Sequence, residues 1–431
     1  MTEPLEALVV ELLRRAEGSR ASASALLSDV FRAHELKPRQ QKRVKELFHR
    51  MLAWRRLIDH ALAVATPNGV APRVAEPLRF LVAQVLAGEL GPKAARARIP
   101  WVDWQRVAAL PEEVRTLPDP VQSLALSASL PDWLARRFHH EFGAAAAELL
   151  HALNQRAPLT LRANTLRCSR EELAARLREE GIETRPTRFA AQGLEVVTPA
   201  QLFRTAAFRA GWFEMQDEAS QLVAEVVAPP PAGAVLDACA GAGGKSLALA
   251  ALLANQGEIL ALDADAGRLA DLRQRARRAG AHDIRALRVP PDAWPAEVEE
   301  FARRADRILV DAPCSGFGAL RRNPDARWRV DESDLVRLRA TQVALLTRAV
   351  RLLRPGARAI YATCTVLRGE NEDVVREVLA AEPGLEPVRV VEVLGGERGR
   401  PISDPDGCYL RTLPHVHGSD GFFAAILRRC R

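Results

Sequence analysis

Cysteine is scarce in this chain. Six are spread over 431 residues, at Cys168, Cys239, Cys314, Cys364, Cys408 and Cys430, and none stands at a C-x-x-C spacing from another. That excludes a disulfide framework, a cysteine metal clip and a dithiol redox motif, and it predicts a reducing, cytoplasmic setting with no metal expected. Uninterrupted apolar runs of about 18 residues are also missing, so no transmembrane span is expected. The opening stretch, MTEPLEALVVELLRRAEG, breaks its apolar run at Glu6 and Glu11 and reads as an amphipathic helix, not a secretory signal. Glycine (26) and proline (28) are close to average abundance, which excludes collagen-like and linker-dominated architectures. Internal repeats are absent.

What is present suits a globular protein with full cores: 48% hydrophobic and 27% charged residues. At roughly 150 residues per domain the length predicts two or three domains. The formal charge is +7, and most of the 61 basic residues are arginine. Where that charge lies matters more than its total. Between Lys37 and Arg56 eight basic residues (Lys37, Arg39, Lys42, Arg43, Lys45, Arg50, Arg55, Arg56) meet one acid, Glu46, so this stretch alone carries +7. A solvated helix face and a contact to an RNA backbone both fit it.

Three regions follow from periodicity. Residues 1–130 read as helices throughout, with helical spacing at Leu5, Leu8, Val9, Leu12 and Leu13 and again at Val44, Leu47, Phe48, Met51 and Leu52. Residues 131–205 read as a small mixed α/β module, with strands at 161–166 and 193–197 around a helix at 170–180. Residues 206–431 follow, and past the PPPAG break at Pro229 to Gly233 short apolar strands alternate with amphipathic helices. Strands are expected at 234–238, 258–262, 284–289, 307–310 and 358–362, and a long helix at 331–353. That alternation predicts an α/β fold with a mostly parallel, doubly wound sheet. A last strand at 421–427 is expected as an antiparallel hairpin at the end of the sheet.

The strongest local signal is VLDACAGAGGKS, Val235 to Ser246, a strand entering a glycine-rich turn and a helix. A Walker loop would place its first glycine at Cys239, and a dinucleotide fingerprint would place its third at Ser246, so each fails at one position. The remaining ligand of this kind is S-adenosylmethionine, which has no phosphate. Its ribose calls for an acid at the end of the second strand, and Asp263, 22 residues past Gly241, stands there. A helix N-cap is the alternative for Asp263. Taken by itself the loop does not separate a methyltransferase from an NAD enzyme.

Downstream, ILVDAPCSG sets Asp311 and Cys314 just past one strand, and YATCT sets Cys364 at the end of the next. In an open α/β sheet these ends border the ligand crevice. Any one of these cysteines could be a small buried hydrophobe; two beside a carboxylate suggest chemistry. Carbon-5 of cytosine is too weak a nucleophile to attack a sulfonium methyl, but a thiolate adding at carbon-6 turns the ring into an enamine that can. Asp311 suits proton sharing with ring nitrogen-3, and Lys245 suits orienting Asp311. A second thiol could assist expulsion of the first.

These segments resemble the RsmB-type (Nop/Sun family) RNA cytosine-5 methyltransferases. The likeness rests on FEMQDEASQ (213–221), LDACAGAGGK (236–245), ILVDAPCSGFGALRRNPDARW (308–328), YATCTV (361–366) with GEN (369–371), and DGFFAAIL (420–427). The middle module matches through PDWLARRF (131–138) and LRANTL. The stretch 36–62 is similar to the family's helical NusB-like RNA-binding domain. The resemblance implies a Rossmann-like class I methyltransferase domain for 206–431, an RNA-binding role for 131–205, and S-adenosylmethionine as cofactor. It implies Cys364 as nucleophile, Cys314 as the thiol that aids release, and cofactor contacts from Cys239, Ala240, Gly241, Ala242, Gly243, Gly244, Lys245, Asp263 and Asp311. Three positions depart from the pattern: Ala242 replaces the usual proline, Thr365 replaces serine, and the segment after the third strand reads RVPPDAW, where Asp292 is the candidate adenine-side acid. Ribosomal RNA of the small subunit is the expected substrate, with a monomer as the default. The rivals are a tRNA cytosine-5 methyltransferase, a catalytically inactive RNA-binding ribosome assembly factor, and a P-loop NTPase, which would bind ATP.

Overall fold

The computed structural model describes residues 4–430 apart from 18, 68, 199 and 291–292. The chain forms two compact units: residues 1–156 with 319–334, and residues 157–318 with 335–431.

The first unit is helical. Its 28-residue helix Pro38–Ala65 buries Val44, Leu47, Phe48, Met51, Leu52, Ile58, Ala61, Leu62 and Ala65. Steps of three and four keep these positions on one face, as the sequence predicted. Val9 and Leu12 of helix Pro4–Glu17, Leu78 and Val82 of helix Pro72–Leu86, and Trp104 and Val107 of helix Trp104–Arg115 complete the core. Each fully buried large aliphatic side chain here contributes about 1.5–3 kcal/mol. The basic run divides. Arg50 pairs with Glu89, Arg55 with Glu17 and Arg56 with Asp132, all at 3.0 Å or less, and so tie helices together. Lys37, Arg39, Lys42, Arg43 and Lys45 stay exposed at the start of the helix.

Helices Asp132–Phe142 and Ala146–Asn154 belong to this unit, so the compact division falls at 156/157, where the sequence suggested 130/131. Segment 319–334 belongs to it as well. Arg327 is buried and donates to the carbonyls of Ala53 (3.1 Å) and Ala128 (2.9 Å), and Trp328 Nε1 donates to Leu52 O at 2.6 Å. By sequence, Arg321, Arg322, Arg327 and Trp328, which follow the PCSG turn, fit either RNA contacts or surface solvation; Arg327 and Trp328 are instead used in packing.

The second unit holds two sheets. Strands β1 (Thr160–Ala163), β2 (Thr184–Pro186), β3 (Gly193–Val196) and β4 (Phe213–Met215) form an antiparallel sheet in the order β2-β3-β1-β4. Helix Arg170–Glu179 covers it with Leu173 and Leu177 and starts from a capping box between Ser169 and Glu172. Because β4 pairs with β1, this module runs through Met215, past the expected end at 205.

The large sheet contains β5 (Ala234–Asp237), β6 (Glu258–Asp263), β7 (Ile284–Arg288), β8 (Arg307–Asp311), β9 (Arg358–Thr363), β10 (Leu385–Val388), β11 (Leu410–Thr412) and β12 (Phe422–Arg429). The order is β10-β12-β9-β8-β5-β6-β7, with β11 against β12, and the five strands from β9 to β7 are parallel. Alternate residues face opposite helical layers. Val235, Ile259, Leu309 and Ile360 pack with the helices Glu218–Val227, Gly244–Leu252 and Ala266–Ala279. Leu236, Leu260, Ile308 and Tyr361 pack with Ala296–Arg304, Glu332–Arg351 and Glu372–Ala381.

All five expected strands are found within a residue, and the sheet is the expected mostly parallel, doubly wound α/β arrangement. One expectation fails. Strand β12 is antiparallel, but it lies between β9 and β10, not at the end of the sheet. Its residues 422–427 are all buried, which demands a neighbour on both sides, whereas β10 carries Glu386 and Pro387 and suits an edge. Among the described residues no helix is long and apolar enough to cross a membrane.

Candidate active site

The carboxyl ends of β6, β5, β8 and β9 lie side by side, and each delivers a functional segment. After β5 the chain turns through Ala238–Gly243 into helix Gly244–Leu252. Gly241 (φ 55°) and Gly243 (φ 82°) take left-handed conformations that side chains resist. A Cβ on Gly243 would lie 2.6 Å from Leu272, but one on Gly241 would meet nothing within 4 Å. The loop is thus packed behind and open in front, a cradle that S-adenosylmethionine fits. Asp263, at the end of β6, accepts from Gly241 N at 2.9 Å and from Asp265 N at 2.8 Å. The helix cap proposed as its alternative role belongs to Asp265, which accepts from Gly267 N and Arg268 N.

The small module holds the loop from below. Arg162 of β1 is buried, donates to Gly244 O at 2.8 Å and also bonds Gln216. Arg275 donates to Ala242 O at 2.6 Å and pairs with the buried Glu214 of β4. Burial lowers the Arg162 pKa to about 10, which leaves it charged.

Lys245 Nζ stands 2.5 Å from Asp311 Oδ2 and 5.3 Å from the centre of the Phe422 ring. Burial opposes its charge, but Asp311 more than offsets this and raises its pKa, with a further contribution from Cys364. One residue on, Ser246 Oγ donates to Asp237 Oδ2 at 2.7 Å, and burial pushes the Asp237 carboxyl up to about 6.

Cys314 Sγ and Cys364 Sγ approach to 3.4 Å. Adjacent parallel strands explain this: Asp311 of β8 is in register with Ala362 of β9, and each turn then advances two or three residues to its sulfur. The hydrogen bond to Cys364 and burial hold the Cys314 thiol well above the ordinary cysteine range. Either sulfur can donate in this contact. Burial likewise raises the Cys239 thiol, so Cys239 offers the site a neutral side chain. The turns are pinned together: Gly318 N donates to Cys364 O, and Ser315 Oγ bonds Thr365 Oγ1, both at 2.9 Å.

Cys239 through Lys245, Asp263, Asp311, Cys314 and Cys364 are thus brought to one sheet edge. Asp292 lies outside the described residues. Sequence reading gave no role to Ser315, Gln342, Glu370 or Phe422, nor to Arg162, Glu214 and Arg275 beneath the loop. Adjacency to the two cysteines was an available signal only for Ser315. Among the described residues no group of three or more His, Cys, Asp or Glu is placed to hold a metal ion.

Comparison with known proteins bears directly on this arrangement. Residues 224–428 match the model of the 16S rRNA methyltransferase RsmB/F family, and residues 130–202 match the ferredoxin-like domain of RsmF/B-like methyltransferases. The chain is 32% identical to a probable ribosomal RNA small subunit methyltransferase B of Bacillus subtilis, with 98% of each chain covered. The crystal structure of PH0851 superposes with a TM-score of 0.77 at 26% identity and covers 100% of both chains. NSun6 of Pyrococcus horikoshii, solved with SFG, shares the fold at 22% identity, with a TM-score of 0.62 and coverage of 70% of this chain and 98% of its own. Full-length similarity, a matching catalytic region and the shared fold place this chain in the RsmB/F family of S-adenosylmethionine-dependent rRNA methyltransferases.

Proposed function

We propose that this chain methylates carbon-5 of a cytosine in 16S rRNA, with Cys364 as nucleophile and Cys314 as the thiol that aids its release. The observation that carries the reading is the 3.4 Å approach of the two sulfurs beside the Lys245–Asp311 pair.

The Cys239–Lys245 loop, Asp263 and Asp311 hold the cofactor. When bound, S-adenosylmethionine supplies the electrophilic methyl group that the activated carbon-5 takes up. The target base must be unpaired or extruded to reach the sulfurs. Cys364 adds as thiolate to carbon-6, and the displaced ring electrons settle on nitrogen-3, which takes a proton passed from the Lys245 ammonium through the Asp311 carboxylate and returns it when carbon-5 takes up the methyl group. Lys245 fixes the Asp311 carboxylate and balances its charge. After carbon-5 loses its proton to solvent, the carbon-6–sulfur bond breaks and its electron pair returns to Cys364. The Cys314 S–H, already bonded to that sulfur, stabilises the departing thiolate.

RNA recognition is assigned to the small α/β module and to the exposed Lys37, Arg39, Lys42, Arg43 and Lys45 of the helical unit, whose charge suits a phosphate backbone. The protein acts in the cytoplasm, where its thiols stay reduced. The test is methyl transfer to unmodified 16S rRNA, with product mapping. Cys364→Ala abolishes turnover, whereas Cys314→Ala accumulates a covalent RNA adduct. Normal turnover by both variants rejects these roles, and methylation at any atom other than carbon-5 rejects the reaction.

A further inference from the structure

Behind the paired sulfurs lies a carboxylate that the reaction as drawn does not use. Glu370 is 2% exposed. Its Oε1 accepts from Ser315 N (2.9 Å) and Gln342 Nε2 (3.0 Å), and its Oε2 accepts from Ser315 Oγ (2.5 Å). Its own carbonyl accepts from Tyr361 OH at 2.5 Å. Gln342 also donates to Pro313 O at 2.9 Å. The residues on either side of Cys314 are therefore tied to Glu370 directly or through Gln342. The residue after Cys364 joins the same network through the Ser315–Thr365 bond.

Holding two turns together does not require a charge. Among the described residues Glu370 is bonded by Ser315 and Gln342 and by no cation; a buried carboxylate so placed is costly, and a neutral amide could make bonds of the same kind. The charge itself needs an account, and its position supplies one. Cys364 and Glu370 act on Cys314 from the surrounding elements, and the neighbouring Tyr361 phenol, held protonated by burial, adds no charge. The nearby cation, Lys245, is bound to Asp311 and acts on Cys364. The Glu370 carboxylate thus stands on the Cys314 side, bonded to Ser315 and Gln342, and the Lys245 ammonium on the Cys364 side, an asymmetry that biases the proton the two sulfurs share.

We infer that Glu370 is a positioning residue for release: it pins Cys314 beside Cys364 and keeps Cys314 the proton-bearing partner while Cys364 carries the charge. This rests on the assignment of Cys364 as nucleophile. Removing the charge makes the Cys314 thiolate easier to form and weakens the donor available to the departing sulfur.

The experiment compares wild type, Glu370→Gln and Glu370→Ala. Iodoacetamide labelling of Cys314, mapped by mass spectrometry across pH, reads the thiol without cofactor or RNA. Covalent adduct and methylated product are followed in parallel. In Glu370→Gln the labelling midpoint moves down by about one to two pH units. Adduct forms at a near-normal rate but resolves roughly tenfold more slowly. Glu370→Ala loses both steps. If Glu370→Ala does not fold, Glu370→Gln, which can replace each hydrogen bond, carries the test. An unchanged labelling profile and normal adduct resolution in Glu370→Gln overturn the inference. A wild type that forms no adduct, or an active Cys364→Ala, instead overturns the reading on which it rests.

Discussion

Lys245 and Asp311 offer the sharpest test of how charge is arranged at the site. The perturbation is a double-mutant cycle of Lys245→Met and Asp311→Asn. At 2.5 Å, with an effective dielectric of ~20, the gross attraction is about 7 kcal/mol. Most of this is spent on desolvation, because the Lys245 side chain is only 10% exposed, and water at the 29% exposed Asp311 screens part of the remainder. A coupling of about 2–3 kcal/mol is left, roughly 30- to 150-fold in rate. Because Lys245 acts through Asp311, the double variant is expected to be no slower than Asp311→Asn alone. Single-turnover transfer of a labelled methyl group, at saturating RNA and cofactor, measures the chemical step. Rate losses that simply multiply across the two substitutions would refute the reasoning, since Lys245 would then act independently of Asp311.

Gly241→Ala costs about 1 kcal/mol of folding stability, from its positive φ alone, but projects a methyl into the open face of the cradle; calorimetry should show a far larger loss of S-adenosylhomocysteine affinity. Gly243→Ala adds a 2.6 Å contact with Leu272 and should cost about 2–3 kcal/mol in urea unfolding. Burial, helped by Lys45, lowers the His49 pKa to about 4. The unfolded imidazole takes up its proton below about pH 6.5 while the folded one stays neutral, so stability falls between pH 6.5 and 4 by at most about 3 kcal/mol. His49→Leu should remove that share of the acid sensitivity in thermal unfolding. Arg327→Met removes the guanidinium donor from the carbonyls of Ala53 and Ala128, the latter keeping only Asn154 Nδ2, and should destabilise the helical unit by about 1–3 kcal/mol.

The parallel strands were legible because burial on both faces writes an unbroken apolar run, as in ILVD and AIYAT. Strand β10 was not, because an edge strand tolerates Glu386 and Pro387 and so resembles a loop. The misplacement of β12 has a related cause: composition tells how deeply a strand is buried but not which neighbour supplies its hydrogen bonds. That β4 completes the small sheet was not legible, because it is three residues long and pairs with a strand about fifty residues earlier. At the site, glycines, cysteines and acids at strand ends stood out through their chemistry. Glu370 did not, because its partners are 28 and 55 residues distant in sequence. Arg327 and Trp328 misled for the opposite reason: residue types common in RNA contacts are equally good at capping buried carbonyls.

The excursion 319–334 links the two units in a way that governs how the protein can be dissected. A truncation that starts at 157 deletes the helices that satisfy Arg327 and Trp328 but keeps both side chains, leaving an indole and a guanidinium stripped of their acceptors. Such a fragment is expected to be sticky and poorly soluble. A gene fusion or deletion that separates the two units must therefore move residues 319–334 with the helices.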